Sequence, residues 1–154
     1  MNITLTTAEQ KLAIYMAKCR HATARNSAIR NCKMGKQGDY ETDLEGIAAE
    51  IAFCKMMNVY PDLQVGVRPD EDATLPTGQT VDVKTTKYKN GRLLAVRWKK
   101  PVVDLFALMV GEFPTYRFVG FKHCDDMLKE ENLKDLGHGP GYAVDQCDLE
   151  LPEK

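Results

Sequence analysis

The chain has 154 residues, 44% hydrophobic and 28% charged, which is enough for one compact domain with its own core and too short for two comfortable ones. Twenty-one Lys and Arg against 22 Asp and Glu leave a formal charge of −1, excluding a uniformly basic nucleic-acid coat and an acidic tail alike. The five cysteines (Cys19, Cys32, Cys54, Cys124, Cys147) are odd in number and contain no Cys-x-x-Cys pair, which excludes a disulfide framework or a zinc ribbon and implies free thiols in a reducing compartment.

Thr6 and Glu9 have capping-box spacing ahead of Leu12, Ile14, Tyr15 and Met16, which predicts a basic N-terminal helix over about 7–23. Residues 31–42 hold two glycines and few large apolar groups and read as a loop. Thr42 and Glu45 repeat the box, and Leu44, Ile47, Ile51, Cys54 and Met57 keep near-helical spacing, predicting a second helix over 43–58. Met56 and Met57 read as core packing for that helix.

Beyond Tyr60-Pro61-Asp62 the pattern turns to short extended runs. Strands are predicted at 63–67, at 73–75 and 79–86 about a Pro76-Thr77-Gly78 hairpin turn, and at 93–98, 105–110 and 116–121. A short helix over 124–131, a glycine-rich turn at 137–141 and a last extended piece over 142–149 complete the chain. The expected architecture is α/β, with two helices before a central mixed five- or six-stranded sheet flanked by helices. The longest apolar stretch, 105–110, is far too short to cross a bilayer, and no basic segment with an apolar run is seen near the start. A cytoplasmic protein with no membrane partner is therefore expected.

Charge is unevenly placed. Residues 10–38 hold seven bases (Lys11, Lys18, Arg20, Arg25, Arg30, Lys33, Lys36) and no acid, and residues 84–100 hold seven more (Lys84, Lys87, Lys89, Arg92, Arg97, Lys99, Lys100), again with no acid. Residues 101–154 carry eleven acids against five bases. A polyanion would have to meet these two local basic segments.

The chemistry-bearing stretch is Glu50 on the second helix, followed by Asp72 and by Val81-Asp82-Val83-Lys84-Thr85-Thr86. On an extended strand Asp82 and Lys84 lie two apart and share a face, while Val81, Val83 and Thr85 point the other way. The hairpin at 76–78 folds Asp72 back beside that strand, and a glutamate on a packed helix can reach the same point. Three carboxylates so close raise one another's pKa, and a divalent cation is the usual compensation. An all-oxygen donor set favours Mg2+ or Mn2+ over zinc.

This string, preceded by the helix around Gly46 to Phe53, resembles the PD-(D/E)xK nuclease superfamily, which has the restriction-endonuclease-like fold and includes Holliday-junction resolvases and small phage nucleases. The resemblance covers about residues 43–121 and implies one nuclease-like domain over 1–154, with an acidic C-terminal extension at 122–154. It implies Asp72 and Asp82 as metal ligands, the Val83 carbonyl as a backbone ligand, Lys84 as the catalytic lysine, and Glu50 as the helix-borne acid that holds or shapes the metal site. Pro69-Asp70 supplies the literal dipeptide, but Asp72 has the better spacing to Asp82 and leads into the hairpin. Superfamily members place a helix between the third and fourth core strands. Here residues 99–103 are too few for one, so either the crossover is rebuilt or the strand assignment slips.

On this reading the implied activity is Mg2+- or Mn2+-dependent hydrolysis of DNA phosphodiesters, structure-specific or non-specific, with RNA as another substrate and a homodimer as the common assembly. Arg25, Arg30, Lys33, Lys36, Lys87, Lys89, Arg92, Arg97, Lys99 and Lys100 would flank the nucleic acid, with Tyr88 or Trp98 available for stacking. The alternatives are a nuclease-fold module that binds DNA or a protein without cutting, and an interaction subunit using its acidic C-terminal third. His21, His123 and His138 share no ligand spacing, the adjacent His123-Cys124 pair has the wrong geometry for a catalytic dyad, and 137–141 lacks the lysine of a phosphate loop.

Overall fold

A computed structural model describes residues 1–26, 38–97, 102–137 and 139–152, apart from the side chain of Arg25. The Thr6–Glu9 box is formed, Thr6 N–H donating to Glu9 Oε2 at 2.6 Å and Glu9 N–H to Thr6 Oγ1 at 3.3 Å, and it opens α1 (Thr7–Asn26). The second helix, α2 (Asp39–Met57), starts four residues before the predicted Asp43. Its opening contact lies one turn earlier, where Gly38 N–H donates to Glu41 Oε2 at 3.2 Å. Glu45 is thereby released from a capping role. It accepts Phe113 N–H at 3.1 Å and the Tyr116 hydroxyl, tying α2 to a distant hairpin. Eight consecutive residues of α2, Ile47 to Cys54, are buried, because α1 covers one side and a sheet covers the other.

That sheet has five strands: β1 (Asn2–Thr4), β2 (Ala73–Thr74), β3 (Thr80–Thr86), β5 (Leu105–Glu112) and β6 (Thr115–His123), in the order β1-β6-β5-β3-β2. It is mixed, since β3 runs parallel to β5 while β1–β6, β5–β6 and β2–β3 are antiparallel. The turn between β2 and β3 uses Gly78 at φ +88°, a left-handed conformation that glycine adopts without steric cost. Two short elements absent from the sequence reading, β1 and β7 (Leu133–Asp135), owe their existence to partner strands rather than to local pattern.

Three predicted strands change. Residues 63–67 are irregular chain rather than a strand. The run predicted at 93–98 forms β4 (Leu93–Val96), but it leaves the main sheet and pairs with β8 (Pro140–Val144), the shortened form of the predicted last extended piece. With β7 these make a second, three-stranded sheet, β4-β8-β7. The physical reason lies in β5, whose residues Leu105 to Val110 are all buried and therefore need cover on both faces. Leu105, Ala107 and Met109 pack with Val81, Val83 and the two long helices, whereas Phe106, Leu108 and Val110 form a separate core with Leu93, Ala95, Val103, Met127 and Val144.

That no crossover helix lies between β3 and β5 among the described residues follows from this. A parallel β3-to-β5 connection needs a dozen or more residues, and residues 87–104 supply them through β4 in the second layer. Within 122–152 the described residues contribute α3 (Cys124–Met127) and the buried Ala143 and Val144 to that layer. The architecture is α/β, with a mixed five-stranded sheet and three helices among the described residues. None of these helices is long and apolar enough to cross a membrane.

A carboxylate cluster at the open edge of β3

The alternation of β3 sends Val81 and Val83 to the helical layer and Asp82 and Lys84 to the opposite face, where their register partners on β5 are Phe106 and Leu108. Asp82 is 6% exposed, and its Oδ1 lies 2.7 Å from the Lys84 ammonium, whose side chain is 38% exposed. The strand-surface pair inferred from sequence spacing is therefore formed, with a buried acid and an accessible amine.

Asp72 is held by backbone geometry. Its N–H donates to the Val81 carbonyl at 2.8 Å, and its Oδ2 accepts the Val83 N–H at 2.8 Å. Because β2 is only two residues long, it cannot pair with Val83, and the Asp72 side chain takes the place of the missing ladder partner. A residue's N–H and C=O leave an extended strand on the same side, so the Val83 carbonyl faces the same open edge. Asp70 is exposed on the preceding turn, while Asp72 is drawn into the cluster.

Glu50 approaches from the helical side. Its Oε2 accepts Arg20 Nη1 of α1 at 2.9 Å and lies 3.4 Å from Arg68 Nη2. The same Arg68 nitrogen is 3.3 Å from Asp72 Oδ1, and Arg68 Nε donates to Asp62 Oδ2 at 3.0 Å. Arg20 also donates to the carbonyls of Asp62 (2.7 Å) and Gln64 (3.3 Å), so the two guanidiniums fasten residues 62–68 onto the helices. Glu50 and Asp82 thus come from opposite faces of β3, with Asp72 at the edge between them.

The electrostatics agree with that placement. Burial first, and then the charges of Glu50 and Asp82, push the Asp72 carboxyl well above the usual carboxylate range, against the opposing pull of the Val83 N–H and Lys84. Burial together with Glu50, Asp72 and Asp62 raises the neighbouring Cys54 thiol to about 12, so that this buried cysteine stays protonated. Asp62 goes the other way. Burial alone would raise it, but the Gln64 N–H and the two arginines outweigh that effect and hold it low.

The structure thus brings Glu50, Asp72, Asp82, Val83 and Lys84 to one region. Even so, among the described residues no group of three or more His, Cys, Asp or Glu side chains is arranged to hold a metal ion. Glu50 Oε2 is instead engaged by two guanidiniums. Arg20, Arg68 and Asp62 were missed as site residues. Arg20 had a signal: it falls on the stripe Ala13, Met16, Ala17, which is buried at helical spacing, so it points inward rather than onto a basic outer face. Arg68 and Asp62 had none, because they sit in irregular chain.

Of the expected nucleic-acid contacts, Lys87, Lys89 and Arg92 are exposed on the β3–β4 loop, and Arg97 is exposed just past the other end of β4. Lys87 Nζ sits 5.7 Å from the centre of the exposed Tyr88 ring. Gln146 Nε2 braces the loop, donating to the carbonyls of Lys89 and Gly91 at 2.9 Å. Arg30, Lys33, Lys36, Trp98, Lys99 and Lys100 lie outside the described residues, as does the Arg25 side chain. His21, set aside on sequence, bonds Asp43 Oδ2 through Nδ1 at 2.9 Å and packs edge-on against Tyr40.

No family model matches the chain, and searches of curated proteins and of solved structures found no match either.

Proposed function

We propose that this protein is a metal-dependent deoxyribonuclease of the PD-(D/E)xK type, with a restriction-endonuclease-like fold, that hydrolyses phosphodiester bonds in a structure-specific or non-specific manner. The observation that carries the reading is Asp72. A carboxyl clamped to the strand edge by Val83 N–H, and raised by burial first and then by the charges of Glu50 and Asp82, marks a buried carboxylate cluster whose ionised form an added cation would favour.

A hard divalent cation fits that place. Asp72, Asp82 and the edge-facing Val83 carbonyl offer oxygen donors only, and Mg2+ is commonly held by one or two carboxylates with waters completing its shell. Asp72, Asp82 and the Val83 carbonyl would hold Mg2+ or Mn2+, and Glu50 would shape the site while its Oε2 stays with the arginines. When bound, the cation supplies charge neutralisation at the phosphoryl group and a more acidic water.

The chain's own groups do the rest. Lys84, half in solvent and anchored by Asp82, presents an ammonium able to orient a water and to stabilise charge on the phosphoryl oxygens. Lys87, Lys89 and Arg92, downstream of it, neutralise backbone phosphates, and Tyr88 offers a stacking face. RNA is the competing substrate, a homodimer the assembly to look for, and the cytoplasm, the host's if the protein is phage-encoded, the compartment that suits its thiols.

A second reading, a nuclease-fold module that binds DNA or a protein without cutting, is favoured by the engagement of Glu50 by Arg20 and Arg68. The two separate on labelled linear, nicked, branched and single-stranded DNA, and on RNA, incubated with Mg2+, Mn2+ or EDTA, with Asp72→Asn beside the parent chain. Metal-dependent product that disappears in Asp72→Asn supports the nuclease. Binding that survives EDTA, with no product on any substrate, supports the module.

A further inference from the structure

Arg68 is the one cation among the described residues that touches both Glu50 and Asp72, at 3.4 and 3.3 Å through a single nitrogen. Its third partner, Asp62, is bonded through Nε at 3.0 Å and is also approached by Arg20 Nη2 at 3.8 Å. Arg20 carries the shorter bond to Glu50 and does not contact Asp72. The two guanidiniums therefore differ in kind. Arg20 is fixed by two backbone carbonyls and a carboxylate, whereas Arg68 bonds only carboxylates.

Two of the Arg68 contacts are also long. A charge-assisted N–H···O bond is at its best near 2.7–2.9 Å, so the contacts to Glu50 and Asp72 are weak ones, while the bond to Asp62 is close to that range. Arg68 side-chain exposure of 24%, twice that of Arg20, leaves it room to move about the Asp62 bond. An arginine pinned at Nε and loosely engaged at Nη2 can withdraw its distal nitrogen from Asp72 without losing its place.

We propose that Arg68 is a built-in counter-ion of the carboxylate cluster: its guanidinium partly neutralises Glu50 and Asp72 in the metal-free protein and yields Asp72 when a divalent cation binds. The inference rests on the metal-site reading above and assigns Arg68 the role of a competing counter-charge at that site. Its signature is a sign. A residue that merely props up Asp72 would, when lost, weaken cation binding. A competing counter-ion would, when lost, strengthen it, because one positive charge no longer opposes the incoming two.

The test is calorimetric titration of Mn2+ into the parent chain, Arg68→Gln, Arg68→Lys and Arg20→Gln, with thermal unfolding in EDTA confirming that each is folded. Arg68→Gln should bind Mn2+ roughly tenfold more tightly than the parent and melt lower in EDTA, as expected for removing one unit charge from a partly solvated cluster. Arg68→Lys, which keeps the charge, should stay near the parent, and its behaviour decides the matter if Arg68→Gln fails to fold: an affinity weakened to the level of a damaged site overturns the proposal. Mn2+ binding by the parent with equal or weaker affinity in folded Arg68→Gln also overturns it. Absence of Mn2+ binding by the parent overturns instead the metal-site reading beneath it.

Discussion

On the nuclease reading proposed above, replacing Lys84 with alanine should separate chemistry from stability. The Lys84 side chain is 38% exposed, so its ion pair with Asp82 is partly solvated and contributes at most about 1 kcal/mol directly. Asp82, however, has a side chain only 8% exposed, and losing its partner leaves a buried acceptor at a cost of about 1–3 kcal/mol. At about 2–4 °C per kcal/mol for a domain of this size, the melting point should fall by roughly 2–12 °C, leaving the variant folded at room temperature. If Lys84 acts on the phosphoryl group as proposed, its removal should by contrast slow the chemical step by about a hundred- to a thousandfold. The assay is single-turnover cleavage of end-labelled DNA in saturating Mn2+, with fluorescence anisotropy for DNA affinity and circular dichroism for folding. Lys84→Met, which retains most of the aliphatic stem, should reproduce the rate defect with a smaller loss of stability. A folded Lys84→Ala protein cutting within about threefold of the parent rate would refute the mechanism.

Asp72→Asn should change the pH dependence of stability in EDTA. The folded carboxyl of Asp72 titrates above its unfolded value, so at pH values between the two the folded chain holds a proton there that the unfolded chain has released. Stability is then lost as pH rises from the unfolded carboxylate range through the folded pKa, and the asparagine variant escapes that loss. Its melting point relative to the parent should therefore be higher at pH 8 than at pH 4; a difference constant with pH counts against the cluster. Replacing Lys87, Lys89 and Arg92 together by alanine should weaken DNA binding and reduce the slope of log K against log salt by about 2 to 3, and an unchanged slope would place the duplex elsewhere. Tyr116→Phe should cost about 1–2 kcal/mol in urea unfolding, because it removes a buried hydroxyl donor to Glu45, while leaving cleavage intact. That phenol is kept protonated by its burial and by Glu45, so the parent chain should show no Tyr116 titration below strongly alkaline pH.

What the sequence determines by itself is local. The Thr6–Glu9 box sets the start of α1, the Pro76 to Gly78 turn sets the β2–β3 hairpin, and the two-residue period of β3 sets Asp82 and Lys84 on one face. Each of these is a relation between residues a few positions apart, which backbone geometry converts directly into direction. The tertiary structure alone decides relations across the chain. Leu93 and Ala95 alternate as any half-buried strand would, and it is the apolar back face of β5 that draws β4 out of the main sheet toward β8. The Thr42–Glu45 spacing matches a capping box, yet Glu45 bonds Phe113 and Tyr116, 68 and 71 residues away, because the helix had already begun at Gly38. The same holds at the site. Spacing put Asp72, Asp82 and Lys84 within reach of one another, but whether Glu50 faces a cation or a guanidinium depends on Arg20, 30 positions before it, and on Arg68 in irregular chain. Charge compensation in a buried cluster is settled by whichever groups the fold brings within a few ångströms, and periodicity carries no record of them.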